Sequence, residues 1–113
     1  MGYAVKLQKG GGNTYISVYD SKVAAPEFTD LKINKRYLLT LATSGTSQSL
    51  IKRSVTILTL TNASYEYLSA PSAYSSGSTY CGYSSSIIIP YNSTIKLTRD
   101  YGHSGPTNLY IIK

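Results

Sequence analysis

The sequence predicts an all-β protein: one antiparallel β-sandwich, jelly-roll or Greek-key like, of about eight short strands with no substantial helix. It spans residues 1–113 as a single domain. Three observations predict this. Apolar and polar residues alternate at period two in one segment after another. Clusters of Gly, Pro, Asn, Asp and Ser recur at intervals of about ten residues. No segment sustains apolar spacing at i, i+3, i+4 and i+7, and the helix formers Ala, Glu and Gln are sparse.

The elements follow in order. YAVKLQ (3–8) places Tyr3, Val5 and Leu7 on one face. KGGGN (9–13) then supplies glycines able to take the positive φ of a tight turn, and TYISVY (14–19) alternates again. The two segments read as an N-terminal β-hairpin. Pro26 interrupts 20–28, because it cannot donate to a sheet ladder. FTDLKI (28–33) reads as a short strand, and NKRYLLTLA (34–42) as a longer one with Tyr37, Leu39 and Leu41 opposed to Leu38, Thr40 and Ala42. TSGTSQS (43–49) is a polar loop, and LIKRSVTILTLT (50–61), rich in β-branched residues, is the longest strand expected. Asn62 breaks it before SYEYL (64–68), which sets Tyr65 and Tyr67 on one face. SAYSSGSTYCGYSSS (72–86) reads as a loop running into the strand SIIIP (86–90). STIKLTR (93–99) alternates with Ile95 and Leu97 inward, DYGHSGP (100–106) is a turn-rich loop, and TNLYIIK (107–113) is the last strand. Tyr37 and Tyr110 are expected in the core, with their hydroxyls reaching the surface.

A chain of 113 residues buries roughly two-thirds of its unfolded surface, enough to fold without a metal or a disulfide. Charged residues make up only 14%, against about 25% in typical domains. Eleven Lys and Arg against five Asp and Glu give +6. The basic residues are dispersed, with pairs only at Lys35-Arg36 and Lys52-Arg53, so there is no basic tail. Such a charge keeps a polar surface soluble and also attracts anionic partners. Cys81 is the single cysteine, so no intramolecular disulfide forms. MGYAVKLQKGGG has no apolar h-region, and Lys6 stands where a myristoylation signal wants Ser or Thr. Ile87-Ile88-Ile89 is too short an apolar run for a helical membrane span.

Catalytic patterns are thin. His103 is the only histidine, in DYGHSGP beside Asp100 and Ser104. No G-x-S-x-G elbow accompanies it, so a Ser/His/Asp reading has little to stand on. Nothing near Cys81 in sequence lowers a thiol pKa. Zinc asks for clusters of Cys and His, and the five acids show no calcium-loop spacing. The expectation is a non-enzymatic protein with no metal site and no cofactor.

Tyrosine carries the functional signal. Twelve of the thirteen aromatics are tyrosine, and the chain has no tryptophan. Tyr74, Tyr80, Tyr83, Tyr91 and Tyr101 lie beside Ser, Gly, Asn or Pro, where no apolar pattern asks for them. A Tyr/Ser/Gly mixture is the chemistry of antibody paratopes, and it also suits sugar rings stacking on aromatic faces. These five, with His103, are the candidate ligand-binding residues. Tyr65 and Tyr67 are candidate oligomer contacts, since tyrosines on sheet faces equally serve packing between subunits. A single-stranded nucleic-acid binder is the further alternative, although residues 62–91 contain no Lys or Arg.

The whole chain, with its low charge and loops of Ser, Gly, Thr and Tyr, resembles small bacteriophage tail, receptor-binding or virion structural modules. IIIPYNSTIKLTRDYGHSGPTNLYIIK (87–113) is similar to the closing strands of such modules. The resemblance implies a homo-oligomer, a trimer above all, that binds a surface polysaccharide or serves as an assembly subunit. It also implies synthesis in the cytoplasm and a place on the virion or extracellular surface after release without a signal peptide.

Overall fold

The fold comes from a computed structural model. It describes residues 2–7, 15–21, 25–101 and 105–112, with side chains for the last two of these ranges. The elements are β1 (Gly2–Leu7), β2 (Tyr15–Ser21), β3 (Glu27–Phe28), β4 (Tyr37–Gly45), α1 (Gln48–Ser54), β5 (Ile57–Thr61), β6 (Ala63–Ser76), β7 (Thr79–Pro90), β8 (Ile95–Arg99) and β9 (Thr107–Ile112). They form an all-β fold of two antiparallel sheets and one short helix. The larger sheet has the order β1-β2-β9-β4-β7-β6, and the smaller has β3-β8-β5.

The core lies between the sheets. Tyr37, Leu39 and Leu41 of β4, Ile88 of β7 and Leu109 of β9 meet Phe28, Ile57, Ile95 and Leu97 of the smaller sheet. Period-two alternation put these residues on one face, as the sequence indicates for β4 and β8. Buried Tyr37 keeps its phenol satisfied: the Lys32 N–H donates to Tyr37 Oη at 2.9 Å. Tyr110 is different. Thr107 and Leu109 take the buried positions of β9, and Tyr110 falls on the outer face of the large sheet, half-buried.

Three elements depart from the sequence reading. The long strand expected at 50–61 divides into α1 and β5. Ile51, Ser54 and Val55 lie at i, i+3 and i+4, and all three are buried. That spacing lasts barely two turns, too short for the period to stand out among β-branched neighbours. The strand expected at 28–33 stops at Phe28, and a turn follows. The stretch 72–86 is not a loop. It belongs to the β6–β7 hairpin, closed by the two-residue turn Gly77-Ser78 with Gly77 at φ +67°. Glycine at the turn takes a backbone angle that most side chains avoid. Strands β1 and β2 pair antiparallel as expected, while the turn expected at 9–13 lies outside the described residues.

Asn62, at φ +63°, turns the chain from the smaller sheet into the larger. Tyr67 reinforces this corner, accepting the Ile57 N–H on its Oη at 2.9 Å. Burial raises the Tyr67 phenol above its ordinary value of 10, and this hydrogen bond opposes the rise only in part. The folded state therefore holds the Tyr67 proton more tightly than the unfolded state does. That contribution is complete below pH 10 and is lost as pH climbs through the raised folded value. Tyr67→Phe is expected to cost about 1 kcal/mol at neutral pH. It should also make stability, measured by urea unfolding, fall less steeply above about pH 10 than in the parent protein. Equal alkaline slopes would contradict this.

Candidate functional site

The side chains best placed to hold a ligand gather where α1 meets the loop after β8. Helix α1 lies against β7 because Gly82 presents no side chain there. A Cβ at Gly82 would stand 2.7 Å from Ile51 Cγ2 and 3.0 Å from the Ile51 carbonyl oxygen. Buried Ser84 of the same strand donates from Oγ to the Val55 carbonyl at 2.6 Å. Ser54 Oγ donates to the Leu50 carbonyl at 2.8 Å and Thr56 Oγ1 to the Lys52 carbonyl at 2.9 Å. These hydroxyls add donors to carbonyls of α1 and of its C-cap residue Val55. Gln48 Nε2 ties the first turn to the Ala73 carbonyl of β6 at 3.1 Å.

The loop after β8 is anchored from both sides. The Asp100 N–H donates to the Thr56 carbonyl at 2.9 Å. Arg99 is turned inward and is only 2% exposed. Its Nη1 donates to the Gly105 carbonyl at 2.9 Å and to Thr107 Oγ1 at 3.3 Å, and its Nη2 to the Ala42 carbonyl at 3.0 Å. Arg99 Nε is buried with no hydrogen-bond partner among the described residues. Burial pulls the guanidinium down from its ordinary value to about 10, so it remains charged at neutral pH.

Between these elements lies a cleft of about 310 Å³, lined by Gly45, Thr46, Ser47, Leu50, Ile51 and Tyr101. Beside it Arg53 of α1 pairs with Asp100, Nε to Oδ2 at 3.2 Å. The Arg53 guanidinium carbon lies 5.8 Å from the centroid of the Tyr101 ring, a cation–π contact that fixes the ring against the helix. The lining combines an aromatic ring, two hydroxyl side chains and two aliphatic ones, and none of its six residues is charged. Such a set can hold a small polyhydroxylated molecule by stacking and hydrogen bonds.

Of the tyrosines picked out from sequence, Tyr101 lines this cleft. Tyr80 pairs with Gly45 across β4 and β7, at the same end of the sheet. Tyr74 and Tyr83 fall on the outer face, 59% and 40% exposed. Tyr91 is 62% exposed at the opposite end, after β7. Tyr65 and Tyr67 stack edge-to-face with centroids 5.6 Å apart, and Tyr67 packs on the core. His103 lies outside the described residues. The five loop candidates therefore do not share one surface. Thr46, Ser47, Leu50, Ile51 and Arg53 were missed from sequence because 43–49 reads as a polar loop and 50–61 as a strand. The spacing of Ile51, Ser54 and Val55 directly after a run of polar residues is the signal that marks them.

Among the described residues, no group of three or more His, Cys, Asp or Glu is placed to hold a metal ion, and no helix is long and apolar enough to cross a membrane. Comparison with known proteins gives no matching family model, no matching curated protein and no matching solved structure.

Proposed function

We propose that the protein is a non-enzymatic recognition module, of the receptor-binding kind that phage tails carry, and that it holds one ring of a surface glycan in the α1 cleft. The observation that carries this reading is Tyr101 lining a small cleft beside the hydroxyls of Thr46 and Ser47. A volume of about 310 Å³ sits at the low end of the range for small-molecule sites, which suits one sugar ring and not a length of chain. The lining is uncharged and Arg53 is neutralised by Asp100, so the ligand is a neutral sugar and its binding is insensitive to salt. Asp100 is engaged in that ion pair, an arrangement that favours holding a ligand over moving a proton.

A glycan array followed by calorimetry on the best binder tests the reading. Tyr101→Ala is expected to weaken binding by about thirty-fold, as loss of a buried aromatic anchor does. Tyr83→Ala, on the outer face, should leave it unchanged. Binding that survives Tyr101→Ala would move the site elsewhere, and an array with no binder would end the glycan reading.

A further inference from the structure

The end of the molecule away from the cleft carries a different chemistry. The segment after β3 turns sharply at Asn34, which takes φ +64°. It is held on several sides. The Leu31 N–H donates to the Ser93 carbonyl at 3.0 Å, the Asn34 N–H to the Pro90 carbonyl at 3.0 Å, and the Lys35 N–H to the Lys32 carbonyl at 3.3 Å. Leu31 is buried, and the Arg36 carbonyl accepts the Ile112 N–H at 3.1 Å. These bonds stitch 31–36 to the loop after β7, where Tyr91 is 62% exposed.

The joined loops present Lys32, Lys35 and Arg36, all exposed, next to exposed Tyr91 and Ile33. Among the described residues none of the three cations has a carboxylate partner, since the one ion pair there is Arg53–Asp100. Asp30, exposed in the same segment, is the one acid nearby in sequence, while Glu27 is set opposite Lys96 in the β3–β8 pairing. The sequence argues against nucleic acid because the tyrosine-rich stretch 62–91 has no Lys or Arg. The fold removes that objection at Tyr91 by bringing cations from a distant part of the chain.

We propose that this end binds a single-stranded nucleic acid, with Lys32, Lys35 and Arg36 meeting phosphates and Tyr91 stacking on a base. Cations along a backbone path beside an exposed aromatic ring are the two parts of a sequence-tolerant single-strand site. The anchored turn presents its charges with the backbone already ordered, which lowers the entropic cost of binding. The site is distinct from the cleft: β4 runs between them, a span of roughly 27 Å.

The test is fluorescence anisotropy of the full chain with a labelled oligo-dT of about 15 nucleotides, titrated with salt. The expected result is binding whose log affinity falls against log salt with a slope of about −2, the value for three phosphate contacts on a single strand. A triple Lys32→Gln, Lys35→Gln, Arg36→Gln variant should lose both binding and slope, and circular dichroism should show it folded because all three side chains are exposed. Tyr91→Ala should weaken binding about ten-fold. Asp30→Asn, which keeps a residue tolerant of the φ of +61° found there, should tighten it. Absence of binding at low salt would overturn the proposal. So would heparin competing equally well while Tyr91→Ala changes nothing, because the surface would then be a general polyanion patch.

Discussion

Arg99→Ala is expected to lower the unfolding free energy by about 3–5 kcal/mol, read as a fall in the urea midpoint. Three acceptors depend on this guanidinium: the carbonyls of Gly105 and Ala42 and the hydroxyl of Thr107. Removing it leaves them inside the protein beside a cavity, since Arg99 is the largest fully buried side chain among the described residues. No carboxylate neutralises Arg99 among the described residues, where its desolvated charge is compensated by hydrogen bonds. Arg99→Met retains most of the volume and removes the charge, and it should cost less than alanine. The pH dependence runs opposite to that of Tyr67. The folded guanidinium is depressed by burial to about 10, below its ordinary value, so the unfolded chain binds this proton more tightly. The cost of the buried charge is therefore full below about pH 10 and is relieved only above it. A parent-like midpoint for Arg99→Ala would show that the loop after β8 is held by other means.

Gly82→Val is expected to be comparably damaging, by about 3 kcal/mol or more, and Gly82→Ala to cost about 1–3 kcal/mol. The first added carbon meets Ile51 Cγ2 at 2.7 Å, the Ile51 carbonyl at 3.0 Å and Val55 Cγ1 at 3.3 Å. A side chain can turn aside, but a helical carbonyl moves only with its helix. Helix α1 would shift off β7 and draw Leu50 and Ile51 out of the cleft lining, so the sugar binding proposed for that cleft should fall along with stability. Pairing Gly82→Ala with Ile51→Ala in a double-mutant cycle should return part of the loss and leave the carbonyl contribution. An alanine variant as stable as the parent would mean that the helix seat is looser than its geometry implies.

How far the sequence carries is clearest in particular residues. Strands whose buried face alternates with a polar one were plain: Tyr37, Leu39 and Leu41 in β4, and Ile95 and Leu97 in β8. Arg99 continues that alternation inward, at a place where sequence reasoning puts an arginine outside. Its burial depends on carbonyls supplied by β4 and by the loop before β9, which no local pattern reveals. The β6–β7 hairpin was hidden for another reason. Ser84, Ser85 and Ser86 are all buried although serine is mostly a surface residue. The cleft was least legible, because helix α1 is seated against a glycine about thirty residues away, and its few helix formers, Gln48, Leu50, Lys52 and Arg53, are masked by the β-branched run that follows them. Tyr101 was singled out as an aromatic in a loop, and only the fold tells it apart from Tyr74 and Tyr83.

Strand β9 is the last of the strands in chain order, yet it sits in the interior of the large sheet between β2 and β4. The ribosome therefore delivers the joining piece after everything it joins. Until residues 107–112 emerge, the β1–β2 hairpin and the β4-β7-β6 unit have no hydrogen-bonded connection, and β2 and β4 both carry bare edges. A nascent chain at that stage is open to pairing with its neighbours on a polysome, and any error of register is set when β9 inserts.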